Sequence, residues 1–430
     1  MKCDVLIIYE HRAREIENAC LLAVELEKRG YKVAIKHVQS FSKYFIKAKV
    51  VVAPHLYNDF HVLAIAKNFW KSHKNLISLQ YEQVIRLPKD GKADIHDPKG
   101  EAVNAQHIAW GKAQEDRYIK FGINPKNVHT IGNMAMDLMK PEFSSYFITR
   151  DGLSDEFNID SGKEWVLFIS SFSYANRTKQ ELIAYAEMNP NAFEFSKISS
   201  QSQEQILNWL LMACQTYPEK LFIYRPHPAE KLSNESFKEL CQLPNFKIIS
   251  KYSIRQWVKS CDKLYTWYST SIVDAYFAGK TCFILRPVDI PEDLEVEVMR
   301  GAKHIIHVSD FIDSLNGHVI NTDINGEIIK YYYGVAYNIP AYLQLADLCE
   351  KMMDGSMQYN YHYKGSCFNI QGGDSIRSIF STFCYNILCD ISDKIDFSFA
   401  HSERLLHFRK ESLGITKEIN DLKTRFRKVL

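Results

Sequence analysis

Short apolar runs alternate with amphipathic stretches along most of the chain. Residues 4–10 (DVLIIYE) have the length and β-branched content of a buried strand. After them, Ile16, Cys20 and Ala23 recur at helical spacing, and Gly30 marks the end of the helix. Strand, helix and strand in this order predict βαβ units and a parallel sheet. Further strands are predicted at YKVAIKHV, 48–56, 74–82 and on both sides of a helix within 107–133.

The same alternation begins again at residue 163 and runs to about residue 290. It predicts an α/β fold with two Rossmann-like domains, which would face a ligand cleft at the carboxyl ends of their strands. The expected domains are 1–145 and 160–390, joined by the loop-like stretch 141–160. The second series comprises strands in 163–178, 221–230, 246–250, 263–271 and 281–287, with helices at 202–217, 254–261 and 272–280.

The last predicted region, 391–430, is a basic helical tail. Within 401–430 the apolar residues could form one ragged face of a helix, and Lys and Arg outnumber the acids. Two interpretations remain open. The tail would either lie on an anionic membrane as a peripheral contact or, as we favour, pack back on the first domain.

Composition narrows the class of protein. The chain has 430 residues, 46% of them hydrophobic and 24% charged, with a formal net charge of +2, so no global field favours nucleic acid or membrane. Ten cysteines occur without a C-x-x-C pair, which favours reduced thiols in the cytoplasm. No apolar run approaches 18 residues. We therefore expect a cytoplasmic protein, at most peripheral at the inner membrane, with no bound metal.

One stretch, LFIYRPHPAE (221–230), stops an apolar strand abruptly. Pro226 and Pro228 each fix φ and remove a backbone donor, so His227 is held on a stiff turn at the strand end. A surface turn that happens to contain a histidine is the plain alternative. Arg225, just before the turn, is a candidate donor to an anion.

A second strand end, YTWYSTSIVDAYFAG (265–279), carries hydroxyl residues where the strand becomes a helix. Ser269, Thr270 and Ser271 either cap that helix or, with its free N–H groups, bind an anion. We expect Ser269 to face the ligand and Ser271 to be the cap. Consecutive strand ends of one sheet are neighbours, so these residues, Arg225 and His227 are predicted to converge on one phosphate.

These two motifs carry a family resemblance. A His-Pro at one strand end and Ser/Thr residues at a later one resemble the pairs that hold the phosphate of a CMP-activated sugar in bacterial sialyltransferases and Kdo transferases of the GT-B class. The chain is also similar, over most of 1–290, to the GT-B group called surface carbohydrate biosynthesis proteins. The same pattern occurs in teichoic-acid polymerases, which use CDP-linked donors. The motifs therefore indicate that a phosphate is bound more firmly than they indicate which sugar is transferred.

One element of the sialyltransferase pattern is missing, because no acidic pair before a glycine occurs in the first domain. The sequence PKDGKAD has only Asp90 before Gly91. If the reaction needs a base, that base must lie elsewhere. Glu10, at the end of the first strand, and Glu82, at the end of the fourth, are candidates to polarise an acceptor hydroxyl.

Several further side chains are candidates for the site, and most of them have a second interpretation. Ser170 and Ser171 follow the first strand of the second domain and suit the leaving phosphate. Arg14 would either meet an acceptor anion or lie in solvent on the first helical turn. Glu295 would either accept from donor hydroxyls or belong to a solvated loop. A retaining route would need a carboxylate nucleophile, and Glu10, Glu82 and Glu194 cannot be ranked by sequence.

The resemblance and the site together imply a metal-independent glycosyltransferase. It would transfer Kdo or another ulosonic acid from a CMP-sugar to a glycan or lipid-linked glycan acceptor of a bacterial surface polysaccharide or lipopolysaccharide. Two alternatives remain: a CDP-polyol phosphotransferase of the teichoic-acid type, and a non-catalytic nucleotide-binding subunit of a polysaccharide assembly complex. No nucleic-acid partner is expected.

Overall fold

The structure, a computed structural model, describes most of the chain. The described residues are 1–69, 73–84, 96–187, 189–232, 235–300, 302–317, 324–334, 339–357, 361–363, 380, 383–388, 391 and 411–430. Contacts divide the chain into unit 1, Met1–Asp137 with Lys330–Leu430, and unit 2, Leu138–Ile329. The Asp90–Gly91 stretch lies outside the described residues.

Each unit contains one sheet of six parallel strands, which confirms the predicted α/β class. Both orders reverse direction at an inner strand, as in doubly wound folds. In unit 1 the order is β2-β1-β3-β4-β5-β6, with β1 Val5–Tyr9, β2 Val33–His37, β3 Val50–Ala53, β4 Asn75–Ser78, β5 Gln106–Ala109 and β6 Val128–Thr130. In unit 2 it is β12-β11-β10-β7-β8-β9, with β7 Trp165–Ile169, β8 Leu221–Arg225, β9 Phe246–Ile248, β10 Lys263–Thr266, β11 Cys282–Leu285 and β12 His304–Ile305.

Helices connect the strands and cover the sheets. The inner strands β1 and β7 are buried along their whole length, which explains their continuous apolar sequences. The described helices are α1 Arg12–Lys28, α2 Asp59–His61, α3 Lys112–Lys120, α4 Met134–Asp137, α5 Arg150–Phe157, α6 Lys179–Ala186, α7 Ala192–Thr216, α8 Glu235–Gln242, α9 Ile254–Ser260, α10 Ile272–Phe277, α11 Val308–Leu315, α12 Gly326–Tyr333, α13 Ala341–Asp354 and α14 Ile415–Arg427.

The stretch 141–160, predicted to be a loop, contains helix α5. Thr149 begins it, because its hydroxyl accepts a hydrogen bond from the N–H of Gly152 at 3.2 Å. Asn158 ends it in the left-handed conformation, with φ of 49°. These two capping signals compensate for a short apolar face, which is why periodicity alone did not reveal the helix. Helix α7 likewise begins at Ala192, ten residues before the predicted start.

The units differ from the predicted domains at the C-terminal end, because residues from Lys330 onwards belong to unit 1. Helix α14 packs on α1 and buries Leu422 and Phe426. Its cations are also engaged there: Lys423 and Arg427 both pair with Glu27 of α1. The described part of the tail is therefore a packed helix, the favoured alternative.

No described helix is long and apolar enough to cross a membrane.

Candidate active site

The predicted phosphate site lies at three neighbouring strand ends of unit 2. In the sheet, Ile169 at the end of β7 pairs with Arg225 at the end of β8 and with Thr266 at the end of β10. The loops that follow these residues therefore leave the sheet side by side. They carry every residue predicted for phosphate binding: Ser170 and Ser171 after β7, Arg225 and His227 at β8, and Ser269, Thr270 and Ser271 after β10.

A carboxylate that the sequence analysis did not single out, Glu230, fixes the His-Pro turn. Its Oε1 accepts hydrogen bonds from the Tyr224 hydroxyl at 2.5 Å and from Gln203 Nε2 at 2.8 Å. Its Oε2 accepts from the Ser170 hydroxyl at 2.5 Å and from the backbone N–H of His227 at 3.1 Å. Four donors from β7, α7, β8 and the turn thus converge on one side chain.

Burial and hydrogen bonding oppose each other at this carboxylate. Burial raises the pKa of Glu230 above its usual value, while the hydrogen bonds from Ser170, Tyr224 and Gln203 work to lower it. The pKa of Tyr224 is also raised, first by burial and then by the charge of Glu230. Tyr224 is fully buried and stays a neutral hydroxyl donor. The network holds the turn in place, and in it the hydroxyl of Ser170, which was predicted to meet the leaving phosphate, donates to Glu230.

The hydrogen bonds of the turn define the tautomer of His227. The N–H of Ala229 donates to His227 Nδ1 at 3.1 Å, so the neutral ring carries its proton on Nε2. The pKa of His227 lies below its usual value, because the surrounding protein desolvates the ring and because Arg177 is near. The side chain is nevertheless exposed to solvent. At neutral pH His227 thus offers an uncharged N–H donor at a solvent-accessible strand end.

Arg225 has a second role that the sequence did not indicate. Its Nη1 donates to the carbonyl of Lys251 at 3.1 Å, and its Nη2 donates to the carbonyl of Tyr252. Tyr252 has a φ of 67°, an unfavourable conformation for a residue with a Cβ. The guanidinium therefore stabilises the turn after β9, and a contact of Arg225 with phosphate remains a prediction.

The structure of the loop after β10 differs from the prediction that Ser271 caps helix α10. The expected cap, Ser271, makes no side-chain capping bond at the start of α10. It is the hydroxyl of Ser269, the expected ligand, that accepts the N–H of Ser271, at 3.2 Å. Ser269 sits two residues earlier, where its Oγ can reach that N–H. Ser171 ties this loop to β7, since its Oγ accepts the N–H of Tyr268 at 3.0 Å, and Thr270 is exposed.

A buried ion pair lies at the end of the next strand, β11. Arg286 Nη2 donates to both oxygens of Glu295, at 2.8 and 3.0 Å, and the guanidinium lies 5.6 Å from the ring centre of Tyr268. The solvated-loop interpretation of Glu295 is therefore wrong, because this acid is needed to neutralise a buried guanidinium. Glu194 lies exposed in the first turn of α7.

The candidate acids of unit 1 lie at the carboxyl edge of its sheet. Glu10 follows β1, and its Oε2 lies 3.4 Å from His55 Nδ1 and 3.8 Å from His11 Nε2. The pKa of Glu10 is raised to about 7, first by burial and then by the charge of Glu15. A carboxyl group with a pKa near neutrality can both hold and release a proton under working conditions, as a general base requires.

Glu82 is differently placed, because Arg14 binds it. The guanidinium of Arg14 pairs with Glu82 through Nη1 and with the buried Glu15 through Nη2, the latter at 2.8 Å. Arg14 thus pairs with two acids while 36% of its side chain stays exposed, and a contact with an acceptor anion remains a prediction. Glu82 is already engaged by a guanidinium, so we favour Glu10 over Glu82 as the base.

His55 was missed although a signal was present. Pro54 and His55 follow β3 just as Pro226 and His227 follow β8. The His55 ring stacks on Tyr57 with the centroids 4.6 Å apart. Burial lowers the pKa of His55 to about 3, so the ring is neutral beside Glu10. Searching both halves for the same proline–histidine pair at strand ends would have found it.

Among the described residues, no group of three or more His, Cys, Asp or Glu side chains is arranged to hold a metal ion.

Comparison with known proteins defines the class of fold. The wall teichoic acid polymerase TagF superposes with a TM-score of 0.52 at 12% identity, over 83% of this chain and 90% of that one. UDP-GlcNAc 2-epimerase from Neisseria meningitidis, bound to UDP-GlcNAc, gives 0.45 at 15% identity, over 82% and 100%. The two α/β units have the GT-B fold, and identities this low show the fold alone. No family model and no curated protein sequence matches the chain.

Proposed function

We propose that this protein is a glycosyltransferase that transfers Kdo or another ulosonic acid from a CMP-sugar to a bacterial surface polysaccharide or lipopolysaccharide acceptor. The observation that carries the proposal is the His227 turn. A neutral imidazole with its proton on Nε2 is held by Glu230 beside the hydroxyl-bearing loops after β7 and β10. An N–H donor with nearby hydroxyl groups suits the phosphate of a departing nucleotide.

The proposed chemistry assigns a different task to each unit. In unit 2, charge develops on the CMP phosphate oxygen as its bond to the sugar breaks, and His227 Nε2–H with the loop hydroxyls stabilises that charge. In unit 1, Glu10 takes the proton of the acceptor hydroxyl. The neutral His55 adds no positive charge that would lower the basicity of Glu10. Because the phosphate charge is met by N–H and O–H donors, the proposal does not require a metal ion.

The second candidate is a CDP-polyol phosphotransferase. What favours it is that two structures of TagF superpose with TM-scores of 0.50 and 0.52, the first of them determined with CDPG. The same His227 turn would then hold the phosphate of a CDP-linked donor. A non-catalytic nucleotide-binding subunit is the third candidate. It would keep the phosphate contact but would not need Glu10.

A thermal-shift screen with CMP, CDP, UDP and GDP distinguishes these candidates. The proposal predicts that CMP gives the largest stabilisation and that His227→Ala abolishes it. His227→Gln, which keeps an amide N–H near the position of Nε2, should retain part of the shift. His307→Ala is the control, since His307 is an exposed histidine after β12, at the far edge of the same sheet. A response to CDP alone would favour the phosphotransferase, and no response to any nucleotide would refute the proposal.

A further inference from the structure

Arg177 lies in the loop that follows β7, and its guanidinium joins three parts of unit 2. Its Nε donates to the carbonyl of Ser173 at 2.7 Å, within the same loop. Its Nη1 lies 3.1 Å from Oε1 of Glu181 in α6. Its Nη2 donates to the carbonyl of Ala229, in the turn that carries His227. All three nitrogens of this side chain are therefore engaged by protein groups, and one of them reaches the His227 turn.

Ala229, the residue that Arg177 holds, also bonds to the imidazole of His227. The N–H of Ala229 donates to His227 Nδ1 at 3.1 Å, and this bond leaves the ring proton on Nε2. The carbonyl of Ala229 accepts from Arg177. A guanidinium is planar and presents its donors in a rigid fork, so it holds two carbonyl groups at a fixed separation. Arg177 therefore fixes the residue whose N–H selects the tautomer of His227.

Glu230 and Arg177 connect the turn to different parts of the loop after β7. Glu230 binds Ser170, the first residue of that loop. Arg177 stands near the end of the same loop and continues the connection to α6 through Glu181. Lys231, which follows the turn, pairs with the other oxygen of Glu181 at 2.8 Å. The turn is thus attached to both ends of the loop, and the outer attachment depends on Arg177.

We propose that Arg177 is a positioning residue for His227, which holds the His-Pro turn against the loop after β7 and keeps the Nε2–H of His227 beside the hydroxyl groups of that loop. Arg177 acts through Ala229, and its own donors stay on protein groups. The effect on nucleotide binding rests on the proposed function. The position and the tautomer of His227 do not, and they can be measured without a nucleotide.

The charge of Arg177 has a second consequence for the same ring. The pKa of His227 is lowered first by burial and then by the positive charge of Arg177. The other charged side chains around the turn have partners of their own: Glu181 pairs with Lys231, Arg225 donates to the carbonyls of 251 and 252, and Glu230 accepts from the N–H of His227. Arg177 therefore both holds the turn and opposes protonation of the imidazole.

Nitrogen NMR of the full chain with labelled histidines, without any nucleotide, tests the positioning role. The ring signals of His227 are identified by their absence in His227→Gln. The wild type should show the Nε2–H tautomer. Arg177→Gln should show a mixture of both tautomers and a higher pKa of His227, because the bond to Ala229 and the positive charge are both lost. The matched control is Arg300→Gln, since Arg300 also pairs with an acid at 3.1 Å, Glu297, and its variant should leave His227 unchanged.

Arg177→Lys separates the charge from the geometry. It keeps the positive charge, so the pKa of His227 should stay close to that of the wild type. A single ammonium group cannot hold the carbonyls of both Ser173 and Ala229, so the turn should still be loosened. Calorimetric titration with CMP should therefore show binding about fivefold or more weaker in both Arg177 variants, whereas Arg300→Gln binds as the wild type does.

Two results would overturn the positioning role. One is a tautomer and a pKa of His227 in Arg177→Gln that equal those of the wild type. The other is a wild type that binds CMP and Arg177 variants that bind it equally well. Circular dichroism checks the fold, and if Arg177→Gln does not fold, the tautomer and CMP affinity of Arg177→Lys decide. A wild type without affinity for CMP would refute the nucleotide proposal, and the NMR measurement would still decide the role of Arg177.

Discussion

Each unit has a proline–histidine pair at the end of a strand that lies next to its first strand, and the two pairs have opposite surroundings. His227 is exposed, and its turn is fixed by Glu230, a carboxylate that accepts four hydrogen bonds. His55 is largely buried against Tyr57, and its Nδ1 lies 3.4 Å from the carboxylate of Glu10, for which the described residues provide no set of donors like that of Glu230. One acid is saturated with donors and positions a histidine. For the other the described residues provide no such set, and its pKa is raised to about 7, whereas at Glu230 the hydrogen bonds oppose the rise that burial causes.

From this difference we infer that the two edges suit different chemical tasks. A carboxylate with all its acceptor sites filled is a structural element, and the group it positions becomes the donor. A desolvated carboxylate without donors holds its proton more tightly and is suited to proton transfer. We therefore propose anion binding for the edge with His227 and proton acceptance for the edge with Glu10. The predictions that follow are arranged by the size of the expected effect.

The largest effect should come from Phe426→Ala in α14. Unit 1 depends on contacts between residues about four hundred positions apart, such as the bond from the N–H of Arg12 to Glu411 Oε2 at 2.5 Å. Phe426 is fully buried on α1, so its truncation should lower the free energy of unfolding by about 3–5 kcal/mol. Chemical denaturation measures this, with the exposed Lys428→Ala as control. Equal stability of both variants would mean that α14 is not packed in solution.

Glu230→Gln should have the next largest effect, and in unit 2. An amide has one acceptor oxygen, so at least one buried donor among Tyr224, Gln203 and Ser170 loses its partner. We expect a loss of about 1–3 kcal/mol in unfolding free energy together with weaker nucleotide binding. Denaturation and calorimetry measure the two effects. Glu204→Gln, an exposed acid on the same helix as Gln203, should change neither. Unchanged nucleotide affinity in Glu230→Gln would separate the network from ligand binding.

The pKa of Glu10 predicts two pH dependences. The folded chain binds this proton up to about pH 7 and the unfolded chain only up to about 4.5, so stability should fall as pH rises through that window. Because 36% of the side chain is exposed, we expect a change of only about 1 kcal/mol. Glu10→Gln should remove it. With a base of this pKa, kcat/KM should fall about tenfold per pH unit below 7.

The pH–rate profile is the sharper of the two measurements. Glu82→Gln is its control, since that acid is paired with Arg14 and its variant should keep the acidic limb. An acidic limb that persists in Glu10→Gln and disappears in Glu82→Gln would reverse the assignment of the base.

The smallest effect concerns the turn after β10. Ser269→Ala removes the acceptor for the N–H of Ser271 and should lower the unfolding free energy by about 0.5–1 kcal/mol. Ser271→Ala removes no capping bond and should stay within about 0.5 kcal/mol of the wild type. Thermal or chemical denaturation of both variants decides this. If Ser271→Ala is the more destabilising, Ser271 caps α10 in solution.

The candidate residues of unit 2 could be picked out from the sequence because local signals mark them. Prolines fix the turn of His227, and a run of hydroxyl residues marks the start of α10, so both strand ends could be identified. Glu230 stood in the quoted motif, but its role depends on Gln203 and Ser170, which come from other elements. Which of Ser269 and Ser271 caps the helix depends on loop geometry that residue type alone does not specify.

The candidate site of unit 1 was harder to predict from the sequence because its residues come from distant segments of the chain. The strands and α1 followed from apolar periodicity. The binding of Glu82 by Arg14 and the position of Glu411 at the start of α1 are long-range contacts that leave no local pattern. The raised pKa of Glu10 reflects burial, which is a property of the folded chain. The sequence also placed 330–390 in the second domain, whereas the contacts of the folded chain place residues from Lys330 onwards in unit 1. No local pattern in the sequence indicates this.

Isothermal titration with CMP tests the central claim most directly, namely that unit 2 binds the nucleotide and unit 1 serves proton transfer. The titration is made with the wild-type chain, His227→Ala and Glu10→Gln. We predict that His227→Ala weakens CMP binding by about tenfold or more, the effect of losing one hydrogen bond to a charged group. Glu10→Gln should bind CMP as the wild type does, although its turnover is lost. Wild-type affinity in His227→Ala together with weakened binding in Glu10→Gln would contradict the assignment of both sites.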